Sequence, residues 1–264
     1  IYITSKDIFS IHGIQISNSI FYGWICSFFL IVFLIYVARK VTIKPKKGIV
    51  QLVEFGVGFI TDLVESSFEE PERGTKYVPY FVTLFFFILF NNWLGLVPGV
   101  GDAIKFHGEP LLRPFTGDLN ATLAVGIVTM IVVYVSSIRE VGFKDYIKHF
   151  FIGSPLNPMY LVLGLIEMLT DATRVISLSI RLFLNVTIGE IVIAVFAYLG
   201  GFFAPVTAAP FMLIEMFVGV LQAYIFVILS LMYLAISVNH ASINTDDLTE
   251  ESVAETMLLQ SKEA

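Results

Sequence analysis

The chain has 264 residues, of which 56% are hydrophobic and only 14% charged, with a mean hydropathy of +0.83. That balance excludes a soluble domain with a large core and fits a polytopic membrane protein. A formal charge of -6 argues against nucleic acid as a partner, and the single cysteine, Cys26, rules out internal disulfides and thiolate metal sites.

In chain order, residues 1–19 form a segment ahead of the first apolar run, and residues 20–38 are just long enough to cross a bilayer. Arg39, Lys40, Lys44, Lys46 and Lys47 follow, which by the positive-inside bias places that end in the cytoplasm and residues 1–19 outside. Residues 48–66 differ in pattern. Gln51, Glu54, Gly58, Thr61, Asp62 and Glu65 recur at three- and four-residue steps among apolar residues, which predicts an amphipathic helix lying at the interface. Residues 78–97 form a second span, with Tyr77, Tyr80 and Trp93 as interfacial anchors and a turn at Pro98 and Gly99. After a loop of mixed charge, Asp118 caps a third span over residues 119–137, and Arg139, Lys144, Lys148 and His149 return the chain to the cytoplasm.

The last two apolar stretches, 159–199 and 210–238, are too long to stand upright. As helices they extend about 60 Å and over about 40 Å, against a hydrocarbon core of about 30 Å. Polar groups along both predict steep tilting against a protein partner, with the glycines and prolines from Gly200 to Pro210 making the turn of a hairpin. Residues 239–264 read as an acidic cytoplasmic tail. The expected class is therefore an all-α membrane protein, one membrane domain over residues 1–264. It has about five embedded helices plus one interfacial helix.

The candidate chemistry lies in the hairpin. Glu167, Thr170, Arg174, Ser177, Arg181 and Asn185 share one helical face, as do Glu215, Gly219, Gln222, Ser230, Tyr233 and Ser237 on the second helix. The serines suit polar contacts between helices. Arg181, Glu190 and Glu215 demand more. An arginine keeps its proton under ordinary conditions, and near mid-bilayer its charge costs from about 2.5 to over 10 kcal/mol. Folding the hairpin at about residue 202 sets Glu190 opposite Glu215 and Arg181 opposite Gln222, and brings Glu167 near Asn239 and His240. Two neighbouring carboxylates suit a group that takes up and passes on protons. A fixed cation between two polar half-paths repels a travelling proton yet attracts an ionised carboxylate. The pattern points to an ion path with a central electrostatic barrier, and leaves proton or small cation open. His12 and His107 lack convergent partners for a metal site. No phosphate loop, nucleophile elbow or zinc-protease pattern is present, so no cofactor, metal or bond-making chemistry is expected of this chain alone.

These residues resemble subunit a of F-type ATP synthases. The matching runs are 92–99 (Asn-Trp-Leu-Gly-Leu-Val-Pro-Gly), 116–120 (Thr-Gly-Asp-Leu-Asn), 177–185 (Ser-Leu-Ser-Ile-Arg-Leu-Phe-Leu-Asn), Gly189 with Glu190, and 221–226 (Leu-Gln-Ala-Tyr-Ile-Phe). With the hydropathy order they cover nearly the whole chain. The resemblance implies a stator subunit facing a rotating c-ring, with Arg181 opposing the ring carboxylate. Glu190 and Glu215 would then line the outer path, with Gln222 beside the arginine, and Asn185 and Glu167 also fall on family positions. Asp118, Asn120, Asn92 and His240 are secondary candidates. Leu184 stands where many relatives have glycine, Val175 where many have proline, and Glu215 where some have histidine. The implied partners are c-ring subunits, peripheral-stalk b subunits, other ATP synthase subunits, the lipid bilayer and a transported proton, with sodium as the other candidate ion. The implied location is a multi-pass membrane protein, preferably of a bacterial inner membrane. The rival reading is a stand-alone ion channel or secondary transporter, which predicts an internal pseudo-repeat that the sequence does not display.

Overall fold

The computed structural model of the chain describes residues 7–11, 14–41, 48–97, 100–106, 109–142 and 158–263. Among them the helices are α1 (Asn18–Lys40), α2 (Ile49–Ser66), α3 (Pro71–Thr75), α4 (Val78–Gly95), α5 (Leu119–Val141), α6 (Pro158–Gly200) and α7 (Ala204–Glu263). Four helical runs are long and apolar enough to cross a membrane: Asn18–Lys40, Val78–Gly95, Leu119–Glu140 and Thr173–Val238. The fourth includes most of α6, the turn and the first part of α7. The class is all-α, as hydrocarbon demands of a spanning chain that must satisfy its backbone groups internally. The amphipathic α2 is not among the four runs; it buries Val53, Ile60 and Val64 and leaves Leu52, Phe55 and Phe59 exposed.

Two short antiparallel hairpins precede α1 and α5, and the sequence pattern did not predict them. β1 (Asp7–Ile11) pairs with β2 (Ile14–Ser17), Ile11 facing Ile14, and β3 (Gly101–Phe106) pairs with β4 (Glu109–Leu112), Phe106 facing Glu109. Both contain a register irregularity, and β2 and β4 each pack against α1.

The helix ends follow local chemistry. Ser17 caps α1 by accepting the Ile20 N–H, and Arg39 and Lys40 in its last turn favour the negative end of the helix dipole. Asp118 caps α5, its Oδ1 accepting the Asn120 N–H at 3.0 Å, and α5 stops at Gly142, which takes a left-handed φ of 89°. Pro79 sits in the first turn of α4, where its missing N–H has no helical partner to lose.

The core joins six of these helices, with Leu30 and Val37 of α1 and Val133 of α5 among its buried residues. Ile60 and Val64 of α2, Phe81 and Ile88 of α4, Leu182 of α6, and Phe226, Val227 and Leu231 of α7 are all fully buried. α6 and α7 pack as the expected hairpin, α5 lies against both, and α4 runs along α7. The connection is a 3-10 turn over Gly201–Phe203, in which Gly201 adopts φ 49°. Pro210 lies inside α7 rather than in the turn, leaving the Val206 carbonyl without its helical donor. Contacts on either side hold it there: Thr207 Oγ1 donates to Phe196 O at 2.9 Å, and the Phe196 and Phe211 rings stack 3.8 Å apart. Past Val238, α7 continues as helix to Glu263.

Five of the membrane hydroxyls differ from the sequence expectation. Ser27, Thr170, Thr173, Ser179 and Ser230 each donate to the carbonyl four residues earlier in their own helix rather than across to a neighbour. In apolar surroundings that carbonyl is the acceptor always within reach.

Candidate functional site

The hairpin register brings Glu190 and Glu215 together. The Glu215 carboxylate lies over the α6 backbone at Gly189, so close that a Cβ there would overlap its Cδ and both oxygens. Gly189 is thus the residue that lets α7 place a carboxylate against α6. Glu190, next along, interacts electrostatically with Glu215 and turns toward the 3-10 turn over Phe115–Gly117. Its Oε1 comes 3.8 Å from where a Cβ on Gly117 would stand.

A third charged group at this end was not singled out from the sequence. Arg113 is 7% exposed, its Nη2 donates to Gly117 O at 2.9 Å, and it interacts electrostatically with Glu190. The available signal was a basic residue in a loop of mixed charge five positions before a capping aspartate. Only the tertiary fold turns that loop inward over α6.

Around these charges the interior is polar. Asn92 Nδ2 donates to Gly219 O at 3.4 Å, and Trp93 Nε1 donates to Met216 O at 3.0 Å, fastening the end of α4 to α7 one turn from Glu215. Asn91 Oδ1, Asn92 Oδ1, Thr116 Oγ1, Asn185 Nδ2, Thr187 Oγ1 and Gln222 Nε2 are buried with no hydrogen-bond partner among the described residues. Buried polar atoms are ordinarily satisfied, so a cluster left over by the protein requires water. The cluster flanks α6 from Glu190 toward Arg181.

Arg181 occupies a different environment. It is exposed, as is Ser177 one turn away, and it emerges beside the exposed aliphatic side chains Ile176, Ile180, Leu184 and Ile188. Two contacts bracket its level on α7: Gly189 with Glu215 above, and Arg174 stacked 4.3 Å from the Tyr233 ring centre below. Between them Arg181 is level with the turn that begins at Gln222, whose side chain is only 5% exposed. The cation faces outward and the amide inward. On α6, therefore, Thr170, Ser177 and Arg181 form an open polar face. On α7, Gly219, Gln222 and Ser230 are turned into the bundle.

The remaining candidates divide. Asp118 is 7% exposed and caps α5 within the same loop as Arg113, while Asn120 is exposed. Glu167 and His240 lie on α6 and α7, but their side chains fall outside the described residues. His12 and His107 also fall outside them.

Comparison with known proteins gives one consistent result. A family model described as ATP synthase A chain matches residues 20–235. ATP synthase subunit a of Sulfurihydrogenibium sp. (strain YO3AOP1) is 33% identical over 80% of this chain and 91% of its own length. The subunit a of Moorella thermoacetica is 29% identical over 87% of this chain and 94% of its own. For the longer subunit a of Anaeromyxobacter dehalogenans, 31% identical over 82% of this chain, the match spans 56% of the relative.

Proposed function

Because the chain belongs to the ATP synthase A chain family, we propose that it is the proton-translocating stator of a rotary ATP synthase, with Arg181 as the charge separating two offset aqueous half-paths. The first half-path begins at the hairpin-turn end, on the outer side of the membrane, and is lined by Glu190, Glu215, Asn92, Asn185 and Gln222. Asp118 and Asn120 stand at its mouth. The second leads from the far side of Arg181 toward Glu167 and His240 and the cytoplasm. The partners are the carboxylate-bearing subunits of a c-ring, with b subunits of a peripheral stalk on other faces. The setting is a bacterial inner membrane with the tail inside.

One observation carries this reading: Arg181 is exposed on an aliphatic surface. A guanidinium facing lipid at that depth is costly and cannot be neutralised by losing its proton. A partner carboxylate presented on an apolar helix meets the need, since both charges are then removed from lipid together. A passing ring carboxylate stays ionised only beside the arginine and must take a proton elsewhere, from one path or the other. Rotation follows because the ionised form cannot enter lipid and the protonated form can. The buried polar atoms that the described residues leave unbonded can hold water on one side of the cation.

The test is the intact complex reconstituted into vesicles. Arg181→Ala is expected to leave the complex assembled and to abolish proton-driven ATP synthesis, and a protonophore, not a sodium ionophore, is expected to collapse wild-type synthesis. Undiminished synthesis in the variant overturns the proposal.

A further inference from the structure

Arg113 has no part in the path described above, yet it is the buried cation of the hairpin-turn end among the described side chains. A guanidinium keeps its charge when buried and so needs both hydrogen-bond acceptors and a nearby anion. The geometry supplies an acceptor for Nη2 and an anion nearby. Nη2 donates to Gly117 O at 2.9 Å, and Gly117 is the residue beside which Glu190 Oε1 rests. Arg113 and Glu190 interact electrostatically. The other charged group acting on Glu190 is an anion, Glu215 from α7. The end of α4 contributes the amides of Asn91 and Asn92 and the indole of Trp93, none of them charged. Arg181 is nine residues along the same helix, about 13 Å away.

We propose that Arg113 is a positioning residue for proton uptake, holding the Glu190 side chain in place through the Gly117 turn and offering it a fixed counter-charge. The inference rests on the proton-path reading. It gives the paired carboxylates at this end of the path a fixed counter-charge that does not travel with the proton. Without it, Glu190 faces only Glu215 and releases its proton less readily, so loading continues while delivery to the ring slows.

The experiment is the initial rate of proton-driven ATP synthesis in proteoliposomes containing the whole complex, measured against pH on the hairpin-turn side at constant driving force. The variants are Arg113→Gln, Arg113→Lys, Glu190→Gln and the double variant Arg113→Gln with Glu190→Gln. Arg113→Gln is expected to move the profile about one pH unit alkaline, the size of effect a neighbouring opposite charge exerts. Arg113→Lys, which keeps the charge, is expected to retain the wild-type profile, and Arg113→Gln to add nothing in the Glu190→Gln background. A purely structural role lowers the amount of assembled complex without moving the profile. An unmoved profile in assembled Arg113→Gln therefore overturns the inference. If that variant does not assemble, an Arg113→Lys profile displaced alkaline overturns it equally, and a wild-type one sustains it. Full activity in Glu190→Gln instead overturns the path reading itself, so the two failures are distinct.

Discussion

Gly189→Ala perturbs the closest approach of the two long helices. An added Cβ overlaps the carboxyl carbon and both oxygens of Glu215. Nonbonded carbons settle about 3.5–4.0 Å apart, so the carboxylate must retreat by more than about 1 Å. Overpacking of a tight contact costs about 1–3 kcal/mol, and here the lower end applies because the obstructing group is the half-buried tip of a flexible side chain. The complex should therefore assemble. Glu215 then no longer faces Glu190, and a loss of about 1.4 kcal/mol in the transfer step corresponds to about tenfold in rate. ATP-driven quenching of a pH-sensitive dye in inverted membrane vesicles measures this directly. Glu215→Asp, one methylene shorter, withdraws the carboxylate from the new methyl and should restore much of the rate when combined with Gly189→Ala. Wild-type pumping by Gly189→Ala, or no recovery in the double variant, refutes the claim that these two positions meet.

Other outcomes follow from the same contacts. Asp118→Ala removes the cap of α5 and should lower stability by about 1 kcal/mol, seen as earlier thermal unfolding of the purified complex. Gly201→Ala places a side chain at φ 49° in the hairpin turn, costs about 1–2 kcal/mol, and should reduce the amount of complex recovered from membranes. Glu140 ties α5 to the start of α4, accepting from Lys76 Nζ and, at 2.9 Å, from the Tyr77 hydroxyl. Burial, reinforced by that hydrogen bond to a carboxylate, pushes the Tyr77 hydroxyl well above its ordinary pKa. Lys76→Met should cost at most about 1 kcal/mol because its side chain is 50% exposed and the pair is screened. Glu140→Ala should cost about 1–3 kcal/mol because it also strands the half-buried Tyr77 hydroxyl, and a double-mutant cycle on melting temperature separates the two.

Sequence reasoning reached those features set by short-range periodicity. Long apolar runs show themselves by composition, and the all-α class follows from the needs of backbone groups in hydrocarbon. Counting residues back from the turn also expected Glu190 opposite Glu215, and the Glu215 carboxylate does meet α6 one residue away at Gly189, because two antiparallel helices of equal rise keep a constant register. Features depending on distant contacts were not legible. Pro210 read as a turn residue, since nothing local reveals that Thr207 and Phe211 both fasten to Phe196. The two β-hairpins pair within themselves, and β2 and β4 also touch α1, so no helical or membrane period announces them. The serines were assigned to contacts between helices, but Ser27, Ser179 and Ser230 each find an acceptor in their own helix. Arg113 was missed for the most instructive reason: a charge in a polar loop looks solvated until the loop is folded over a buried carboxylate.

Passive proton flow through vesicles carrying the membrane sector, with an imposed pH gradient and no nucleotide, tests most directly whether Arg181 divides two paths. The account predicts that Arg181→Ala conducts protons yet no longer couples that flow to ATP synthesis in the full complex, whereas Arg181→Lys leaks less. An Arg181→Ala sector that remains as tight as wild type while the full complex still synthesises ATP would contradict it.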